Sequence, residues 1–329
     1  MEILEILLKG LSDENPNVKR ASAIALGELG TKEAANPLIK LLGDKHWQVR
    51  EAVVNALGKI GADEAAEALV KLLNVEKGDI RKAILDEVSS KGGEEKKAEP
   101  KAAALGAAEK KKGDENWEVR KAAALVLSNM KPEIAVEPLM NMMNMENVNI
   151  NIKLAAIVGL GNLTASRAED MLISILSDEN WEVRKASATA LGKIKSTKAV
   201  QPLINILSDG KFPVRVEAII ALNHIKSPDS LQPMINTLLK DENIDVRKTA
   251  AIALGNTKSE DAVEPLLKSL EDRNWQVRKA AATSLGNLKP VVSEANLSQA
   301  VIEHTIGCFT DENEEVRAAA SMAYMRIVG

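Results

Sequence analysis

The sequence predicts an all-α protein, a solenoid of about ten two-helix repeats with a period of about 31 residues. Three observations carry that expectation. A motif of the type DENWEVR recurs along the chain, its neighbouring copies 31–33 residues apart except for two gaps of 39. An Ala- and Leu-rich segment with helical periodicity follows each copy. Aromatic residues make up 2% of the chain and hydrophobic residues 45%, a composition that suits close helix–helix packing and suits a β-sandwich poorly.

Each copy ends in a basic anchor: Lys19, Arg50, Arg81, Arg120, Lys153, Arg184, Arg215, Arg247, Arg278 and Arg317. The segment around the anchor, as in VRKASATALGKI, is the second helix of a repeat. Four residues before the anchor stands Asn in seven of ten copies, which marks the helix start, because its side-chain oxygen satisfies a free backbone N–H of the first turn. Ahead of it lies the first helix, as in AVQPLINIL. The recurrent proline there (Pro37, Pro100, Pro138, Pro202, Pro233, Pro265) predicts a helix kinked near its first turns. One such helix pair cannot bury its apolar faces alone, so the pairs must stack. Asp six residues before most anchors (Asp44, Asp114, Asp178, Asp209, Asp241, Asp272, Asp311) is placed to pair with the Arg of its own or a neighbouring repeat, a ladder that fixes register. Glycines near the ends of the second helices serve either close packing or helix termination.

The pattern D-x-x-W-x-V-R-x-x-A-A-x-A-L-G-x-I followed by A-V-x-P-L-I-x-x-L resembles the short HEAT-like repeats of the phycobilin-lyase type, over nearly the whole chain. The resemblance implies a right-handed α-solenoid whose second helices line the concave face. For function it implies a non-enzymatic scaffold or adaptor that binds a protein partner, with a tetrapyrrole (bilin) lyase or chaperone subunit as the alternative.

Composition and motifs narrow the function classes. A net charge of −4 and a pI of about 5.7 oppose a general nucleic-acid binder, including the HEAT-like DNA glycosylases. No run of apolar residues reaches membrane-spanning length, so no membrane partner is expected and a reduced, cytoplasmic setting is. One cysteine, Cys308, offers neither a disulfide nor a thiolate cluster and reads as a buried thiol. Relatives of the same repeat type that hydroxylate deoxyhypusine hold iron through His-Glu pairs. Here His46, His224 and His304 are each followed by another residue, so no metal site is expected. No phosphate loop and no motif for nucleophilic catalysis is present, and neither a cofactor nor an enzymatic activity is expected.

The partner surface follows from helix geometry. With the residue before the anchor and those six and seven after it facing the core, the opposite stripe lies three before, one after and five after the anchor. In repeats 4 to 8 this stripe is unusually apolar: Leu125, Leu154, Val158, Val216, Ile220 and Ile252, extended by Phe212, Trp117 and Trp181 and rimmed by Lys121, Lys185 and Lys248. These residues either face water as a partner site or pack against neighbouring second helices. Each Trp either covers a seam between repeats or offers a partner anchor. Residues 1–90 hold repeats 1–3, 91–113 form a charged insertion with a weak helix, and 114–329 hold repeats 4–10, one continuous solenoid overall. Seven Lys and four Glu between 91 and 113 predict a hinge or loop that trypsin cuts first.

Overall fold

The computed structural model describes residues 2–74, 115–130, 132–144, 148–288 and 295–328. It is an all-α solenoid, and the chain forms two compact units, Met1–Ala168 and Glu169–Gly329. The first holds α1 (Glu2–Gly10), α2 (Pro16–Leu29), α3 (Ala35–Leu41), α4 (Trp47–Ile60), α5 (Ala66–Asn74), α6 (Glu115–Met130), α7 (Pro132–Met143) and α8 (Ile150–Asn162). The second holds α9 (Glu169–Ser174), α10 (Trp181–Ile194), α11 (Val200–Asn205), α12 (Phe212–Ile225), α13 (Leu231–Lys240), α14 (Ile244–Gly255), α15 (Val263–Ser269), α16 (Trp275–Leu288), α17 (Ala295–Gly307) and α18 (Glu314–Val328). Within each unit the helices pack as successive pairs, α1 with α2 and α9 with α10 being the first of each.

The second helices begin where the sequence asks them to. The Asn15, Asn149, Asn180 and Asn243 side chains accept from the backbone N–H two residues on, at 2.8–2.9 Å. His46 and Lys211 stand at this position in α4 and α12 and make no such bond. Termination falls eleven residues after the anchor, on a left-handed residue: Gly30 (φ 68°), Gly61 (φ 66°), Lys195 (φ 59°) and Lys226 (φ 61°). The glycines eight after the anchor, Gly27, Gly192 and Gly255, lie in the last turn of the helix and let the next second helix approach. A Cβ on Gly192 would stand 2.7 Å from the Ala221 Cα. Of the two roles open to these glycines, close packing is therefore the one they play.

The first helices differ from expectation in one respect. In α3, α11, α13 and α15 the proline is the third residue of the α-helix, and a 3-10 turn precedes the helix. The chain changes helix type ahead of the ring instead of bending around it, because a first-turn residue needs no N–H donor. Only Pro138, among the described residues, sits deep inside a helix.

The core runs along the seam between the helix layers. Val49, Val119, Val183, Val214, Val246 and Val277 before the anchors are fully buried, as are Leu57, Leu127, Leu191, Leu222 and Leu254 seven after them. Burial of each such side chain contributes about 1.5–3 kcal/mol. In the first unit α5 packs directly on α6, and Gly58 of α4 lies against Val126 of α6, where a Cβ would meet Cγ2 at 2.7 Å. The anchor Arg81, the apolar Leu105 and the expected hinge at 91–113 lie outside the described residues.

Candidate partner-binding surface

The turn before each second helix is held by one repeated arrangement. In the second unit each anchor Arg donates from one guanidinium nitrogen to the backbone carbonyl of its own repeat's Asp. Examples are Arg215 to Asp209 at 2.8 Å and Arg247 to Asp241 at 2.9 Å. Its other nitrogens fork onto the carboxylate of the next repeat's Asp: Arg184 on Asp209, Arg215 on Asp241, Arg247 on Asp272 and Arg278 on Asp311, all at 2.6–3.0 Å. The same carboxylates accept the backbone N–H two residues on, as Asp272 does from Asn274 at 2.8 Å. In the first unit Lys19 makes one such contact, to Asp44 at 2.8 Å. Both pairings that the sequence allowed are realised, one through the main chain and one through the side chain.

Burial of the Asp44, Asp209, Asp272 and Asp311 carboxyls raises their proton affinity, but the hydrogen bonds and positive charge of the neighbouring basic side chains outweigh it. Asp209 and Asp272 are held below the usual carboxylate range in this way, Asp44 likewise through Lys19 and His46. For Asp311 the bond from Arg278 is itself the largest effect. A carboxyl whose folded-state pKa is depressed contributes stability that is complete above its unfolded value of about 3.9 and is lost as pH falls through the folded value. The urea midpoint should therefore stay level from neutrality down to about pH 5 and fall steeply below about pH 4. A midpoint that holds constant to pH 3, about one unit lower, would remove the ladder from the stability of the fold.

With register set by this ladder, the opposite stripe of each second helix is placed. In the second unit Ile252 is 49% and Phe212 43% exposed, while Val216 and Ile220 between them are half-buried. Lys185 is exposed, and half-buried Lys248 pairs with Asp245 at 2.7 Å. In the first unit Val158 is 38% and Leu125 37% exposed, and Leu154 is half-buried. The Trp residues take an intermediate position: Trp47, Trp117, Trp181 and Trp275 are all half-buried, and the Lys121 ammonium lies 5.5 Å from the Trp117 ring centroid.

The Cys308 thiol is buried, and desolvation pushes its pKa up, away from a reactive thiolate. His46 Nδ1 lies 3.0 Å from the Asp44 carboxylate and His304 Nδ1 2.8 Å from the Ala300 carbonyl oxygen. Among the described residues no three His, Cys, Asp or Glu side chains converge as a metal site would require, and no helix is long and apolar enough to cross a membrane.

Sequence reasoning passed over one feature. A groove of about 610 Å³ crosses α2, α4 and α6 on the same stripe, lined among others by Arg20, Ile24, Glu51, Asn55, Val126 and Asn129. Its signal was present in the offsets one and five after the anchor, where α2 and α4 carry Arg20, Glu51 and Asn55 beside the apolar Ile24. A smaller groove of about 250 Å³ lies between α16 and α18, beside Thr283 and Met322.

Comparison with known proteins agrees on architecture. HEAT repeats match residues 4–88, 145–223, 169–239, 200–286 and 231–325. No curated protein matches the chain. A chain from a structure of Kap95p with RanGDP superposes with a TM-score of 0.62 at 17% identity, over 99% of this chain and 45% of that one, a likeness of fold alone. An engineered protein aligns over the full length of both chains at 20% identity and a TM-score of 0.46. The CpcE–CpcF phycocyanin lyase of Nostoc sp. PCC7120 aligns at 28% identity and a TM-score of 0.40, over 48% of this chain and 98% of that one. Stacked helix pairs of constant phase, joined by one Arg–Asp arrangement and matched over most of their length, show that the chain belongs to the HEAT-repeat family.

Proposed function

We propose that the chain is a cytoplasmic, non-enzymatic scaffold or adaptor that binds a protein partner on the exposed stripe of its second helices. The observation that carries this reading is the apolar row itself. Phe212 and Ile252 point into solvent at positions where a purely structural helix gains by carrying Lys, Glu or Asn, with Val216 and Ile220 between them and Lys185 and Lys248 at the rim. Leu125, Leu154 and Val158 beside Trp117 and Lys121 repeat the arrangement in the first unit. An apolar row with a charged rim is the usual build of an interaction site. The half-buried Trp181 extends it as an anchor of the kind that dominates interface energetics. The reading calls for no nucleic acid, membrane, metal or cofactor.

The test is the double variant Phe212→Asp/Ile252→Asp. Because both side chains meet water, its urea unfolding should match the wild type within about 0.5 kcal/mol. Capture of partner proteins by the tagged full chain from its own cells, quantified by mass spectrometry, should fall by the equivalent of about 2 kcal/mol or more. An unchanged set of captured proteins would sink the reading.

A further inference from the structure

From the groove across α2, α4 and α6 we infer a second binding site, one for an extended peptide segment carrying an acidic and a basic side chain three residues apart. The site rests on the scaffold reading but not on the apolar row. Arg20 and Glu51 stand at the same offset on adjacent helices, and neither has a partner among the described residues, although both line the groove. An unpaired cation and an unpaired anion side by side suit neither a phosphate backbone nor a single small ion, since each ligand charge would meet one repulsive neighbour. They suit a ligand that presents both signs in order.

Spacing supplies the rest. Packed second helices lie about 8–10 Å apart, and an extended chain of the polyproline-II type rises about 3.1 Å per residue and brings every third side chain to the same side, so about three residues span one helix to the next. Beside the charges the wall offers Ile24, 44% exposed, and half-buried Val126, which suit an apolar side chain. Asn55 and Asn129, also without partners, each present a donor and an acceptor, the pair of groups that an extended peptide backbone needs. An acidic side chain of the ligand meets Arg20, and the basic one three positions away meets Glu51.

The probes are fluorescein-labelled peptides of Ser and Val carrying Asp and Lys, Asp and Asp, or Lys and Lys three residues apart, titrated with the full chain and read by anisotropy. The wild type should bind the Asp/Lys peptide about tenfold more tightly than either like-charged one. Arg20→Glu should shift the preference to the Lys/Lys peptide, and Glu51→Lys to the Asp/Asp peptide. Equal affinity of the wild type for all three, no binding of any, or a preference that survives both reversals overturns the assignment. The wild-type comparison needs no variant to fold. It is also independent of Phe212 and Ile252: lost capture in their double variant with no peptide preference here would leave the scaffold reading standing and remove only this site.

Discussion

Replacing Arg247 with alanine should destabilise the second unit by about 3 kcal/mol, measured by urea unfolding. The side chain is nearly buried, and its removal strips both carboxylate oxygens of Asp272 of their guanidinium bonds at 2.8 and 3.0 Å. It also leaves the Asp241 and Glu242 carbonyls without their shared donor. An uncompensated carboxylate in that position is the expensive outcome, more so than the loss of one attraction. Arg247→Lys should recover only part, because an ammonium is a point charge and cannot fork onto the carboxylate while reaching a carbonyl behind it. Lys19, which makes one contact with Asp44, shows what a lysine achieves here. If Arg247→Ala shifts stability by less than about 1 kcal/mol, the value of an exposed ion pair, the ladder contributes register and little else.

The second large effect is expected at Gly192. Alanine is normally the better helix former by about 1 kcal/mol, but its methyl group would stand 2.7 Å from the Ala221 Cα, and backbone cannot step aside. Gly192→Ala should cost about 1–3 kcal/mol through forced separation of α10 and α12. Gly307→Ala, where nothing lies within 4 Å of the added carbon, should instead be neutral or stabilising. The fold suggests the rescue. In α6 the equivalent residue is Ser128, and its counterpart six after the next anchor is Gly159, so the small residue has changed sides. Gly192→Ala with Ala221→Gly should therefore regain most of the loss. A double variant no better than the single one would show that the close approach is not what Gly192 serves.

Much of the fold is legible because one local rule is repeated. The Asn caps, the buried Val before each anchor and the Leu seven after it are spaced by helix geometry alone, and any single copy confirms the others. The Arg–Asp ladder is visible as a pattern, but its partner choice is not. Asp209 stands six residues before Arg215 and 25 after Arg184, and only three-dimensional stacking sends the carboxylate to the distant one and the carbonyl to the near one. The pairing of α5 with α6 is hidden for a different reason. Residues VEKGDIR carry the motif at the correct spacing in the sequence, whereas the fit of Gly58 against Val126 is decided by shape across the chain. Exposure along the stripe is legible by offset and not by degree. Ile252 and Ile220 share an offset, yet one is exposed and the other half-buried.

The ladder also makes the second unit mechanically one-sided. Every rung reaches from one repeat to the next along a single edge, through short, nearly dry guanidinium–carboxylate contacts. Cross-repeat pairs elsewhere, such as Lys198–Asp170 and Lys279–Glu315, are solvent-exposed and weak. A force pulling the repeats apart is therefore carried by the laddered edge, which resists extension, while the other edges yield by sliding of apolar surfaces. The unit is then a flat spring clamped along one side, and its softest deformation opens or closes the spacing of the remaining helix faces about that line.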